Sequence, residues 1–273
     1  MNVYQHLRVV CEDFALDHRT IEDACGDSFT THIHDTWELL FFLRGNVTYH
    51  VEGKSYKLFR GDMVLSRPFV FHHIEPNDGT AYERFNIVFD GKLIPKGIRR
   101  LISTETDVFG FGDNPRIYEL FDKMEDYAKH FEGEELLRIL GHLIEEVIYN
   151  IVISEGQTRG QTISNPLVSR ALAYIDENLS TVKSIEEISN SLYITKSYLH
   201  HLFDANLGVS PKHYITTKRL LLAQKMIRRG KRATEVAPLV GFDDYATFFR
   251  NYKRHFGYSP SEESARPNLE IKA

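Results

Sequence analysis

The sequence predicts an α+β chain of two domains, an N-terminal β-barrel with packed helices and a C-terminal all-α domain of two helix-turn-helix units. Three observations predict it. Short β-branched and aromatic segments separated by glycines fill residues 1–90. The apolar period becomes helical after residue 113. Finally, the C-terminal third repeats itself: residues 195–211, TKSYLHHLFDANLGVSP, superpose on 244–260, DYATFFRNYKRHFGYSP, at an offset of 49. That offset sets Leu199 on Phe248, Phe203 on Tyr252, and Gly208-Val209-Ser210-Pro211 on Gly257-Tyr258-Ser259-Pro260.

At 273 residues the chain is long enough for two cores. It holds no apolar run of roughly 18 residues, so no membrane partner is expected. The opening MNVYQHLRVVCEDF lacks the basic, apolar and small-residue succession of a secretory leader. Cys11 and Cys25 are too few for a disulfide framework and form no CxxC. A cytoplasmic protein is expected. The net charge of −5 hides an asymmetry: residues 161–273 hold 16 Lys/Arg against 11 Asp/Glu, whereas residues 1–160 hold 17 against 27. A basic end on an acidic body points to a polyanion at that end alone.

Strands are predicted at 29–33, 37–43, 46–51, 55–59, 63–66 and 82–89, punctuated by Gly26, Gly45, Gly53, Gly61 and Gly79. Together they give a sandwich or small barrel over 1–112. Over 113–154, Ile117, Leu120, Phe121, Met124 and Tyr127 form one helical stripe, and Leu136, Leu140, Leu143, Val147, Ile148 and Ile151 another. These helices either close the barrel or join two subunits as a homodimer. Residues 155–165, EGQTRGQTISN, read as a linker.

The DNA-reading domain is expected over 166–273, with helices at 166–179, 185–192, 195–206, 211–229, 233–240 and 244–256. Ser184-x-x-Glu187 is a capping box, and Ser210-Pro211 and Ser259-Pro260 each place a Ser cap before a helix-starting Pro. Gly208 and Gly257 stand where a chain leaving a helix takes positive φ.

In a helix-turn-helix, the outer face of the second helix enters the major groove. The first unit turns Leu199, Leu202 and Phe203 inward, which leaves Thr195, Lys196, Ser197, His200 and His201 outside. The second turns Phe248, Tyr252 and Phe256 inward, which leaves Tyr245, Thr247, Arg250, Asn251 and Arg254. A helix of about 19 residues between the units spans ~28 Å, close to the ~34 Å between successive groove faces of a duplex. One chain can thus fill two adjacent grooves of double-stranded DNA. Lys212, Lys218, Arg219, Lys225, Arg228, Arg229, Lys231 and Arg232 lie along that helix and its end, and phosphate contacts are expected from them. Phe249 reads as core, with contact to a thymine methyl as the other reading.

Residues 184–260 resemble the DNA-binding domain of AraC/XylS transcriptional regulators. The resemblance rests on Tyr198-Leu199, Leu202-Phe203, Gly208-Val209-Ser210, Tyr214, Arg219, Ala223, Gly241-Phe242 and Gly257-Tyr258-Ser259-Pro260, in that order. It implies base-facing positions at Ser197, His200 and His201, then at Tyr245, Thr247 and Arg250. Two features depart from the pattern: Ala246-Thr247 replaces the usual Ser-Tyr, and Pro238 lies inside the helix before the second reading helix. The family also implies a small-molecule effector, a dimer, RNA polymerase as a partner for an activator, and no enzymatic activity.

Gly26-x5-His32-x-His34-x3-Glu38-x6-Gly45 resembles the first cupin motif, and Gly61-Asp62, Pro68, His73 and Asn77 loosely match the second. This implies a cupin-type barrel. Two chemistries remain open. His32, His34, Trp37, Glu38, His73 and Arg84 line a pocket for an organic effector such as a sugar or related metabolite, with no cofactor required. Alternatively, His32, His34 and Glu38, with His72 or His73, hold a divalent metal, as in a cupin enzyme or a metal-sensing regulator. Arg84 offers either a cation toward the pocket or a salt bridge at its rim.

Overall fold

Alternation of side chains divides the N-terminal domain into two sheets and a helical layer. A computed structural model of the chain describes residues 2–24, 29–102, 106–154 and 163–265. Its strands are β1 (Asn2–Val10), β2 (Phe14–Glu22), β3 (Trp37–Arg44), β4 (Val47–Val51), β5 (Lys54–Lys57), β6 (Asp62–Ser66), β7 (His72–Pro76), β8 (Tyr82–Phe89), β9 (Val108–Gly110) and β10 (Ile163–Ser164). One antiparallel sheet has the order β1-β2-β8-β3-β6-β9 and the other β10-β5-β4-β7.

Successive residues of a strand point to opposite faces. On the inner face, Leu40, Phe42, Val64 and Tyr82 therefore meet Tyr49, Val51, Tyr56 and Ile74 of the smaller sheet in one core. On the outer face, Leu39, Phe41, Phe85 and Ile87 are covered by α2 (Pro115–His130) and α3 (Gly133–Ile153), which follow the short helix α1 (Lys96–Arg99). Asn114 caps α2 by accepting from Arg116 N, with Pro115 in the first turn. The stripes read at 117–124 and 136–151 are the buried faces of α2 and α3.

The two sheets face each other as the sandwich among the expected alternatives; the described ladders end at β1 and β9 on one sheet and at β10 and β7 on the other. Two expectations need correction. Residues 29–33 do not form a strand. They cross the mouth of the sandwich and pair once, through reciprocal His32–His72 backbone bonds of 3.0 Å. Strands β1, β2 and β7 escaped the reading because polar residues interrupt them and no glycine bounds them clearly. Gly26 and most of the expected linker lie outside the described residues, but the linker's last part, Ile163–Ser164, pairs with β5 as β10.

The C-terminal domain is helical: α4 (Pro166–Glu177), α5 (Ile185–Ser191), α6 (Lys196–Leu207), α7 (Pro211–Arg228), α8 (Ala233–Leu239) and α9 (Tyr245–Phe256), then a 3-10 turn at Pro260–Ala265. It has two cores. Leu199, Leu202, Phe203 and Tyr214 belong to the first, with Ile188 and Val168. Leu220, Ala223, Val236, Phe248 and Tyr252 belong to the second.

The first core continues into the sandwich, taking in Phe71, which stacks on Tyr214 at 4.8 Å between ring centres. Beside it the buried Glu52 carboxylate accepts from Tyr214 Oη at 2.6 Å and from Phe71 N at 2.9 Å, and lies 3.6 Å from Lys218 Nζ. Burial raises the Glu52 pKa above its ordinary value despite the nearby Lys218 charge. The next residue, Gly53, has φ +73, and a Cβ there would lie 2.6 Å from Val168. The β4–β5 turn is thus pressed directly onto α4. Among the described residues, no helix is long and apolar enough to cross a membrane.

Candidate nucleic-acid interface and effector cavity

Each reading helix starts at a side-chain cap. Thr195 Oγ1 accepts from Tyr198 N at 3.2 Å, and Asp244 Oδ1 accepts from Thr247 N at 2.7 Å. Both helices end in left-handed glycines, Gly208 at φ 66° and Gly257 at φ 85°. The units are stapled together by Arg219, whose guanidinium donates to the carbonyls of Leu179, Val182 and Gly241 at 2.7, 2.6 and 2.9 Å. Gly241 sits at φ +94, where a Cβ would approach Ser180 O to 2.6 Å.

Lys196, Ser197 and His201 on α6 are exposed, and His200 is half-buried. On α9, Tyr245, Arg250 and Arg254 are exposed, with Thr247 and Asn251 half-buried. The α9 face is pre-ordered: Arg250 Nη2 donates to Thr247 Oγ1 at 3.1 Å, and Arg254 Nη2 to Asn251 Oδ1 at 2.6 Å. Thr195 works as a helix cap, and Lys196 is paired with Glu186 of the preceding helix. Phe248 and Tyr252 are buried as expected, whereas Phe249 is half-buried against Tyr245, with ring centres 6.3 Å apart.

The basic row along α7 requires a correction. Lys218 is buried, 2.8 Å from Asp176. Arg219 is the staple, Lys225 lies over the Phe69 ring at 5.0 Å, and Arg228 pairs with Glu263 at 2.6 Å and Asp35 at 3.3 Å. These four hold the protein together. Lys212, Arg229, Lys231 and Arg232 remain exposed toward solvent.

A cavity of about 690 Å³ opens from the interior of the sandwich to the C-terminal domain. At its mouth, three imidazoles converge on one oxygen. Glu38 Oε2 lies 2.7 Å from His34 Nε2, 3.1 Å from His72 Nε2 and 3.8 Å from His32 Nε2. The far nitrogens are all engaged: His32 Nδ1 bonds Thr30 O at 3.1 Å, His34 Nδ1 bonds Thr36 O at 3.0 Å, and His72 Nδ1 bonds Val70 O at 3.0 Å. Burial pushes the Glu38 carboxyl upward, but the His72 charge and hydrogen bonds from all three imidazoles outweigh it and hold the group well below the ordinary range. Burial likewise lowers His72 against the pull of Glu38, whereas for His32 the bond to Glu38 prevails over burial and raises it. Ligand atoms of His32, His34, Glu38 and His72 all lie within 4.8 Å of one another.

Two expected site residues depart from the sequence reading. His73 lines the cavity as expected of an effector residue but stands outside the group around Glu38: it stacks on His50 at 4.5 Å and meets Thr31 Oγ1 at 3.1 Å, and burial pulls its pKa down to about 4. Adjacent residues of β7 face opposite ways, so only one of His72 and His73 can join, and it is His72. Trp37 fails for the same reason: with Glu38 facing inward, Trp37 packs into the core beneath α2 and α3. Arg84 satisfies both of its readings, lining the cavity and lying 3.4 Å from Asp17. Sequence reasoning missed Asn86, which lines the cavity with an unpartnered buried Oδ1, and Asp17, its register partner on β2, whose Oδ1 is also unpartnered. The inward alternation of Arg84, Asn86 and Val88 was the available signal.

The model of the AraC-like ligand binding domain matches residues 19–148, and that of a helix-turn-helix domain matches residues 188–266. The chain belongs to the AraC/XylS family of transcriptional regulators. It is 25% identical over 226 residues to the lactose operon transcription activator of Staphylococcus xylosus, covering 80% of each chain. It is 22% identical over 273 residues to the Msm operon regulatory protein of Streptococcus mutans, covering 96% of each. Among solved structures, ToxT from Vibrio cholerae O395 matches 94% of this chain and 99% of its own at 11% identity, with a TM-score of 0.40. As an AraC-family regulator, the chain carries a ligand-binding domain and a DNA-binding helix-turn-helix domain.

Proposed function

We propose that this AraC-family protein is a cytoplasmic regulator whose DNA occupancy answers to a small hydroxyl-bearing effector held in the sandwich. The observation that carries the reading is one chain with two exposed reading helices and an internal polar cavity. The unpartnered acceptor of Asn86 in the cavity wall favours an effector that offers hydrogen-bond donors, as a saccharide does. The similarity to a lactose operon activator points the same way. Ser197, His200 and His201 read one half-site, and Tyr245, Thr247 and Arg250 the next. Neutral imidazoles can donate or accept at a base edge, while Arg250 suits a guanine. The chain acts as a homodimer, and RNA polymerase is its partner at activated promoters. Operator affinity of the full chain, measured by fluorescence anisotropy across a panel of saccharides, tests this. A panel in which no compound changes affinity or transcription removes the effector reading.

A second reading is a divalent metal on His32, His34, Glu38 and His72. It is favoured by the three engaged Nδ1 atoms, because a neutral imidazole that gives its Nδ1 hydrogen to a carbonyl presents an Nε2 lone pair to the centre. Three lone pairs facing a carboxylate call for a cation, either protons or a metal ion. When bound, the ion would supply a Lewis-acidic anchor for effector oxygens. Zinc titration with His34→Ala and His72→Ala as controls tests this; equal uptake by all three chains ends it.

A further inference from the structure

Helix α7 is buried on three sides, and each side does something different. Tyr214 and Ile215 enter the first helix-turn-helix core, and Leu220, Ala223 and Ile227 enter the second. A third stripe, His213, Thr217, Leu221, Gln224 and Arg228, recurs every three or four residues and so lies along one helix face. That stripe lines the cavity. Thr217 and Gln224 in it are only 2% and 4% exposed. A buried stripe that serves only packing is apolar. Here polar groups flank Leu221: Gln224 Nε2 donates to Tyr258 Oη at 3.0 Å and Arg228 pairs with Glu263 and Asp35, while His213 and Thr217 share the cavity lining with Glu38, Arg84 and Asn86. A few placed polar groups among apolar ones are what a ligand site presents.

We propose that the effector site is shared between the domains: helix α7 is its second wall, and a bound small molecule touches the helix that spaces the two reading helices. This rests on the effector-binding reading above and adds to it the residues on the DNA-binding side. The ligand is a small organic molecule long enough to reach from Asn86 in the sandwich to Thr217 and Gln224 on α7, with an apolar middle against Leu221 and Val88. Both reading helices pack on α7, so a ligand that reseats α7 changes how they meet the duplex without contacting either. Coupling between the sites is then reciprocal: the ligand alters operator affinity by the same factor by which the operator alters ligand affinity.

The test uses the full chain and one probe, 1-anilinonaphthalene-8-sulfonate, whose fluorescence rises in an apolar cavity. The wild type is expected to bind one dye per chain. Leu221→Trp, which fills the cavity from α7, and Val88→Phe, which fills it from the sandwich, should each weaken binding at least tenfold. Thr217→Phe serves in place of Leu221→Trp if that chain does not fold, as judged by cooperative melting. Dye lost in Val88→Phe but retained in the α7 variant overturns the shared site, as does a wild type that binds no dye. Dye binding that depends on both walls while operator affinity never changes supports the shared site and defeats the effector switch.

Discussion

The two helix-turn-helix units repeat one sequence pattern but are anchored differently. The first shares its core with the sandwich through Phe71, Tyr214 and the buried Glu52. The second meets the sandwich through Arg228 and Asp35, and through His255 and Phe256 at the cavity rim. Their turns differ too. Where the second unit has Gly241 at φ +94, pressed against Ser180 and Arg219, the first has Tyr193 at φ 58°, almost wholly in solvent at 92% exposure. Duplication preserved the reading geometry, while tertiary contact set what each copy can tolerate. The first unit is thus expected to loosen together with the sandwich, and the second more independently of it.

The largest effect that can break this contrast comes from the cores. Phe203→Ala and Phe248→Ala should each cost about 3–5 kcal/mol. Phe203→Ala should loosen the sandwich face at Phe71 together with the first unit, whereas Phe248→Ala should loosen the second unit alone. Hydrogen exchange by segment distinguishes the two; identical patterns would mean the units are equally coupled.

Next come the reading faces. Arg250→Ala should weaken specific operator binding by ~1–3 kcal/mol and relax the base preference under the second unit only. Unchanged preference at every operator position would remove Arg250 from base contact. Smaller effects are expected at the turns. Gly241→Ala should destabilise by about 1–2 kcal/mol, because an L side chain at positive φ is strained and its Cβ also meets Ser180 O. Tyr193→Gly should be neutral or stabilising by less than about 1 kcal/mol, because nothing crowds the position. Urea melts of both variants decide this, and equal destabilisation would erase the distinction.

The smallest effect is a pair of opposed slopes. Glu38 is depressed, so its contribution is present above the ordinary carboxyl value near 4.3 and is lost as pH falls through the folded pKa. Glu52 is raised, so its contribution is fully present below about 4.3 and is lost as pH rises through the folded pKa. Glu38→Gln should therefore flatten the acid loss of stability, and Glu52→Gln should remove a component of opposite sign. Urea midpoints from neutral pH to well below the ordinary carboxyl range measure both slopes, and slopes of like sign would contradict the assignment.

The helical half was legible because its punctuation is local. Ser184 and Ser210 cap where hydroxyl and spacing say they should, and Gly208 and Gly257 end their helices. The sandwich was only partly legible. Of the polar residues that broke the strand pattern of β2, Asp17 and His18 find partners distant in sequence, Arg84 for Asp17 and Glu83 and Glu125 for His18, while Arg19 pairs with Asp17 on the same strand. The site shows the same divide. His32, His34 and Glu38 declare themselves by spacing, but whether His72 or His73 completes the group depends on the register of β7, which the chain reveals only when β7 pairs with β4. The α7 lysines misled because charge was taken as exposure, whereas Lys218 finds two carboxylates inside.

Strand β10 is only two residues long, yet it ties the start of the helical half directly to the small sheet. Ile163 and Ser164 are zipped to Ser55 and Lys54, and Asn165 alone separates them from the first turn of α4. The join therefore has no slack at its downstream end. Any shift of the small sheet would reach α4 within a single peptide unit, and extra residues inserted at Asn165 are expected to loosen that link while leaving each half intact.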